Sequence, residues 1–214
     1  KPEAYEWTAN LEDLTAANGG SADVANELLI PTNVTGVKFY VGGGSPADGK
    51  ATNTYKMQDN SSEGLPNALT AAVNPRVSTE AKTNPTVGDP MCVAGTYFKW
   101  VAESNGVLEI VGVANADKAI FIAKEGSCVD GFAGDTITSK DQITASVPVA
   151  AGETVCYSLS GSKPMLASFK FTEIKPEAYE WTANLEDLTA ANGGSADVAS
   201  ELLVDTKTPG VKFY

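Results

Sequence analysis

Residues 1–40 and 175–214 are two copies of one segment. The first reads KPEAYEWTANLEDLTAANGGSADVANELLIPTNVTGVKFY and the second KPEAYEWTANLEDLTAANGGSADVASELLVDTKTPGVKFY. The first 25 positions are identical and 34 of 40 match overall, with a period of 174 residues. The six differences are Asn26/Ser200, Ile30/Val204, Pro31/Asp205, Asn33/Lys207, Val34/Thr208 and Thr35/Pro209. Solenoid repeats run at roughly 20–50 residues, so a repeat this long is expected to be a whole domain. Residues 1–174 therefore read as one complete unit, and residues 175–214 as the start of the next, near-identical one. The join from Phe171 to Tyr179 (FTEIKPEAY) contains no flexible linker, so neighbouring units are expected to sit close and stiffly.

The second copy carries Tyr179, Trp181, Leu185, Leu188, Leu202, Leu203, Phe213 and Tyr214. So short a segment can hardly bury that apolar load alone. Two readings follow. One is truncation of a longer array. The other is strand exchange, in which Tyr179, Trp181, Leu185, Phe213 and Tyr214 complete a neighbouring copy and a head-to-tail contact propagates as a filament.

Charge narrows the partners. The net charge is −12, shared evenly among residues 1–40, 41–174 and 175–214. No basic patch is built into the sequence, which argues against nucleic acid and anionic membrane. No apolar run approaches the length of a membrane span, so membrane insertion is not expected. Cys92, Cys128 and Cys156 lack CxxC spacing, which disfavours most zinc and redox sites. Three cysteines leave two readings open: one disulfide plus a spare thiol or a bond between subunits, or three separately buried thiols.

The local patterns are β patterns. Tyr5, Trp7, Ala9 and Leu11 alternate with polar residues as a half-buried strand does. Residues 21–29 (SADVANELL) have helical spacing at Val24, Leu28 and Leu29, which predicts a short helix. Residues 36–41 form a second strand, and residues 42–90, rich in Gly, Pro, Asn, Ser and Thr, read as loops with at most short strands. Strand signals then come densely at 96–102, 106–113, 118–124, 142–149, 154–160 and 165–174. Asn105-Gly106 predicts a hairpin turn between the first two of these. The sum is an all-β chain, an antiparallel β-sandwich of jelly-roll type.

The stretches YFKWVAESNGVLEIVGVANADKAIFIAKEGS (97–127) and ITASVPVAAGETVCYSLSGSKPMLASFKF (143–171) carry a resemblance. They are similar to the galactose-binding-like jelly-roll modules of secreted bacterial polysaccharide lyases and large surface proteins. The shared pattern is a "G-x-L-x-I/V" strand, an "I-x-I" strand, "V-x-AG-x-x-Y-x-L-x-x-G-S" and a closing "F-x-F". The opening strand with Trp7 fits the start of the same module. The resemblance implies the sandwich fold and, beyond it, sugar binding. It also implies structural calcium, for which Asp59, Asp130 and Asp135 sit in oxygen-rich loops. No other cofactor is expected.

Sugar binding calls for aromatic rings that stack on apolar sugar faces. Trp7 and Trp100 are in phase with core residues, and Trp181 follows by repetition. That leaves Tyr40, Tyr55, Tyr97 and Phe132 as candidates. Gly44 to Lys50 (GSPADGK) matches GxxxxGK, but Ala51 stands where a phosphate loop needs Ser or Thr and no helix follows, so a surface turn is expected. The chain has no histidine, which removes Ser-His-Asp and Cys-His catalysis, and the acidic residues form no recognisable pair for glycoside hydrolysis. Asn33 and Asn60 match the glycosylation sequon. Lys99 and Glu109 are conceivable members of an isopeptide crosslink. The sequence thus points away from an enzyme. It points to a structural or adhesive repeat of an extracellular fibre or cell-surface array whose partners are copies of itself, with a carbohydrate-binding module as the alternative.

Overall fold

Strand alternation with large inward residues organises residues 1–174. A computed structural model describes residues 4–9, 21–34, 37–124, 137–175, 204–205 and 212–213. Among the described residues the first unit has twelve strands: β1 (Ala4–Thr8), β2 (Ser21–Val24), β3 (Leu28–Pro31), β4 (Lys38–Val41), β5 (Asn53–Gln58), β6 (Ala68–Ala71), β7 (Phe98–Val101), β8 (Gly106–Ala114), β9 (Ile120–Lys124), β10 (Asp141–Val149), β11 (Thr154–Leu159) and β12 (Met165–Glu173). They form two antiparallel sheets. The larger has the order β10-β8-β12-β6-β5-β2, with β1 also paired to β12, and the smaller has the order β3-β4-β7-β11-β9. Residues 175–214 are a separate unit containing β13 (Val204–Asp205) and β14 (Lys212–Phe213), an antiparallel pair. Among the described residues there is no α-helix.

The strands from β7 to β12 alternate between the sheets, so each pairs with strands two or more places away in sequence. This is why Asn105-Gly106 is not a hairpin turn. β7 pairs with β4 and β11, whereas β8 pairs with β10 and β12, so the turn carries the chain across the sandwich. The Asn105 side chain and the close packing of Gly106 hold the corner instead. The Asn105 Oδ1 accepts from the Ala151 N–H at 3.0 Å, and Gly106 lies so close to the Phe171 ring and the Thr172 carbonyl that a Cβ would overlap both.

The helix expected over 21–29 is also absent; β2 and the start of β3 occupy it. Val24 and Leu28 are four apart, a spacing that satisfies a strand's period of two as well as a helix turn. Tertiary pairing decides. Ala22 and Val24 turn into the core, Asp23 faces out and accepts from the Thr54 hydroxyl at 2.7 Å, and β2 pairs with β5 from Ser21↔Lys56 to Val24↔Asn53.

Between the sheets the core is aromatic. Phe171 sits 5.1 Å from Tyr5 and 5.0 Å from Trp100, ring centre to ring centre. Phe39 meets Trp7 at 4.9 Å and Phe169 at 5.0 Å, both edge-on. These tilted contacts are the arrangement that ring quadrupoles favour. A void of only about 20 Å³ remains among Phe39, Phe98, Trp100 and their neighbours, which is too small for a sugar ring. Trp7 and Trp100 are core residues, as their phase predicts.

Two smaller clusters cover the outer faces. Met91 and Cys92 pack over Phe121, Ala123 and Cys156 on the small sheet, and a Cys92–Cys156 disulfide fixes them there with Cα atoms 6.3 Å apart. Ala68, Val113, Met165 and Ala167 form the other cluster, on the large sheet. Cys128 lies outside the described residues.

The GxxxxGK segment is a tight surface turn, with Ser45 bridged to Lys50 and Gly49 at φ +66°. Within it Asp48 accepts from the Arg76 Nε at 2.8 Å and from the Ser45 hydroxyl at 2.7 Å. The Arg76 hydrogen bond, then that of Ser45, holds the carboxyl at about 2 against its usual 3.8. A depressed folded-state pKa contributes stability that is fully present above the unfolded value and is lost as pH falls through the folded one. The pair is only partly exposed, with side chains at 11% for Arg76 and 17% for Asp48, but solvent still screens it. Asp48→Asn is therefore expected to lower stability by about 1–2 kcal/mol at pH 7 and by progressively less between about pH 4 and 2. Urea denaturation across that pH range measures it.

Candidate functional site

The side chains that leave the core on β5 are Thr54, Lys56 and Gln58. Their neighbours on β6 follow from the register, which sets Lys56 opposite Thr70 and Gln58 opposite Ala68. Facing this floor are the ends of three other strands. Asn115 follows β8, Lys140 precedes β10, and Ser162 and Lys163 form the turn between β11 and β12. Together they enclose an open groove of about 590 Å³. Strand residues supply the floor, so the groove's shape is set by sheet pairing.

Hydrogen bonds fix much of its wall. The Thr70 hydroxyl donates to the Pro164 carbonyl at 3.4 Å, tying β6 to the start of β12. The Asn115 amide donates to the Ser162 hydroxyl at 3.3 Å. Lys140 donates to the Asn60 Oδ1 at 2.7 Å and to Glu63 at 3.0 Å, so its ammonium is held in place. Lys56 and Lys163 are exposed and have no acidic partner among the described residues. The groove thus gathers three ammonium groups on a chain whose net charge is −12. It offers N–H donors from the lysines and amides, and hydroxyl and amide acceptors from Thr54, Gln58 and Ser162. Local field and local hydrogen bonding, not the overall charge, govern what such a surface attracts.

The sequence-derived candidates lie elsewhere. Tyr55 is fully buried, in the same strand as Lys56 but pointing the opposite way, and its hydroxyl donates to the Tyr97 carbonyl at 3.3 Å. Desolvation holds that hydroxyl far above the ordinary phenol range. It presents no ring face to a ligand. Tyr97 is 3% exposed, with its ring against Gly42, and its hydroxyl donates to Glu27 at 2.8 Å; burial, and then the Glu27 carboxylate, raise its pKa as well. Tyr40 is half-buried, and the Lys99 ammonium stands 4.9 Å from its ring centre while also pairing with Glu27. Tyr40 and Tyr97 are therefore brought together around Lys99 and Glu27, beside a second open groove of about 510 Å³ lined by Glu27, Gly43, Gly44 and Tyr97. Phe132, Asp130 and Asp135 lie outside the described residues.

Asp59 is exposed, and its carboxylate is held below its usual pKa by the Ser61 side chain and then by the Ser61 N–H, which donates to it at 2.9 Å. Among the described residues no group of three or more His, Cys, Asp or Glu side chains converges. The sequon residue Asn60 is fully buried, and its amide donates to the Pro66 carbonyl at 2.9 Å. Asn33 accepts from the Glu6 N–H at 2.9 Å. Lys99 lies on the smaller sheet and Glu109, exposed, on the larger, so Glu109 is not the buried acid that a Lys–Asn isopeptide bond at Lys99 needs.

The groove residues were missed because no motif joins them. One signal was present: Thr54, Lys56 and Gln58 alternate with Asn53, Tyr55 and Met57, a half-buried strand inside a stretch dismissed for its loop-forming residues.

No family model matches the chain, and no curated protein does. Among solved structures, one similar chain is the native structure of a family 35 carbohydrate-binding module from Clostridium thermocellum. It is 12% identical with a TM-score of 0.29, and the match covers 79% of this chain and 98% of that one. At that TM-score the likeness carries no weight for the site, and the sandwich stands on its own strand pairings.

Proposed function

We propose that residues 1–174 are a carbohydrate-binding module of an extracellular protein, with the glycan seated in the groove over β5 and β6. One observation carries this reading: a 590 Å³ open groove, built on paired strands, whose lining is dominated by hydrogen-bonding side chains. Adjacent sugar hydroxyls both donate and accept. Lys56, Lys140 and Lys163 match their lone pairs, and Thr54, Gln58 and Ser162 match their protons. The disulfide fits an oxidising, extracellular setting.

Removing Lys56 and Lys163 tests it, because both are exposed and neither side chain makes a hydrogen bond or ion pair among the described residues. The Lys56→Ala/Lys163→Ala variant is expected to keep the parent melting temperature. Its retention by whichever polysaccharide gel slows the parent should fall at least about tenfold, roughly 1.4 kcal/mol. Running the gels with and without calcium separates the groove from any metal-dependent site. Equal retention of the two proteins would remove the groove from the account.

A second reading rests on a different observation. The 34-of-40 repeat and the linker-free join favour a link in a fibre or surface array, where many units act together and avidity multiplies weak binding. The two readings are compatible, and light scattering of the 214-residue chain tests the second alone.

A further inference from the structure

Charge is spread unevenly over this acidic chain. Asp and Glu outnumber Lys and Arg by 27 to 15. Among the described residues that line the groove over β5 and β6, however, none is acidic and three are lysines.

The three differ in how far their charge is balanced. Lys140 donates to Glu63 at 3.0 Å and to Asn60 at 2.7 Å, so its charge is largely met within the wall. Lys56 stands on the outward face of β5, opposite Ser21 on β2 and Thr70 on β6. Lys163 stands in the turn that leads into β12. Neither pairs with a carboxylate among the described residues. The acid nearest to Lys56 by register is Asp23, diagonal to it across β2 and β5, and that carboxylate already accepts from the Thr54 hydroxyl at 2.7 Å.

The rest of the lining narrows the ligand from another side. Met165, Ala71 and Ala72 supply its apolar surface, and no aromatic ring is present among the described lining residues. A neutral sugar therefore has no ring face to stack on, and gains only hydrogen bonds exchanged against those of water. An anion gains more. It forms charge-assisted hydrogen bonds and removes the repulsion between two unbalanced ammonium groups that face one groove.

We propose that the glycan of this groove is acidic: a chain whose carboxylate or sulfate groups meet Lys56 and Lys163, while Thr54, Gln58, Asn115 and Ser162 take its hydroxyls. The inference rests on the glycan-binding reading and narrows its ligand class. Uronate and ester-sulfate chains share the chemistry, and the gels below tell them apart. The net charge of −12 makes the test stringent, because the protein as a whole repels a polyanion and only a local site can hold one.

The 214-residue chain is run in native gels cast with two matched pairs of polysaccharide. One pair is polygalacturonate and its fully methyl-esterified form; the other is carrageenan and the same polymer desulfated. Each pair keeps the backbone and removes the charge. Retardation is expected from the charged member of at least one pair, with affinity at least about tenfold weaker for its uncharged partner. Raising salt from about 50 to 300 mM should weaken it roughly five- to tenfold, as release of one or two counterions requires. Lys56→Gln/Lys163→Gln should lose the retardation. Lys56→Arg/Lys163→Arg, which keeps both charges, should retain most of it. Equal retardation by both members of a pair, lost in the Gln variant, overturns the acidic ligand and leaves glycan binding in the groove standing. Retardation by a charged member that survives in the Gln variant overturns the proposal by placing the anion elsewhere. Retardation by none of the four overturns it as well, and gels of neutral xylan, mannan and glucan run beside them then decide whether glycan binding falls with it.

Discussion

Phe171→Ala should destabilise the first unit by about 3–5 kcal/mol, the range for deleting a fully buried phenylalanine. The side chain is 0% exposed and meets Tyr5 and Trp100, so one truncation empties the middle of the aromatic layer. The site cannot collapse easily. Gly106 already sits against the ring, on a strand paired with β12 through eight residues, and β1 closes the other side. A loss of this size is a large part of the roughly 5–15 kcal/mol that holds a domain together. Lys170→Ala, the exposed neighbour on the same strand, is expected to change stability by less than about 0.5 kcal/mol. Urea denaturation of the two variants measures the contrast. Equal effects would mean that the core is not centred on this ring.

Removing the Cys92–Cys156 disulfide should cost about 2–4 kcal/mol and lower the melting temperature by roughly 5–15 °C. The bond closes a loop with a sequence separation of 64, and chain-entropy arguments for a loop of that length give about 4 kcal/mol as an upper figure. Packing adds a local consequence. Cys156 is 1% exposed beneath Met91 and beside Phe121 and Ala123, so the segment over the small sheet is held by the bond and by a very small apolar cluster. Cys92→Ala/Cys156→Ala avoids burying a hydroxyl and is the cleaner variant. Its thermal unfolding should match that of the parent in reducing buffer. A melting temperature unmoved by either treatment would contradict this role for the bond.

Much of the sandwich was legible because its strands are half-buried. Phe98 and Trp100, Leu108 and Ile110, and Phe169 and Phe171 alternate with polar neighbours, and each pair lies in the core. What the sequence could not disclose was pairing. Asn105-Gly106 looks like a hairpin turn because the local chemistry of a turn is the same whether the chain returns beside itself or crosses to the other sheet. Residues 21–29 looked helical because four is a multiple of two. The count of cysteines left their pairing open, since only the folding of residues 91–95 over the small sheet brings Cys92 to Cys156.

The groove was the least legible feature. Lys56, Lys140 and Lys163 are far apart in the chain and meet only because β5 and β6 share a sheet with β10 and β12. Tyr55 shows the complementary error: an aromatic ring in a stretch rich in loop-forming residues reads as exposed, yet strand phase turns it inward. Residue type suggested a ligand contact, and position in the sheet decided otherwise.

The most direct test of the central claim is an NMR titration of the isotope-labelled chain with a polysaccharide fragment that it retains. Binding in the groove predicts amide shifts that cluster at 54–58, 70–72, 115, 140 and 162–165, and that vanish in Lys56→Ala/Lys163→Ala. Shifts centred instead on Glu27, Tyr40, Tyr97 and Lys99 would contradict the groove and move the site to the opposite sheet.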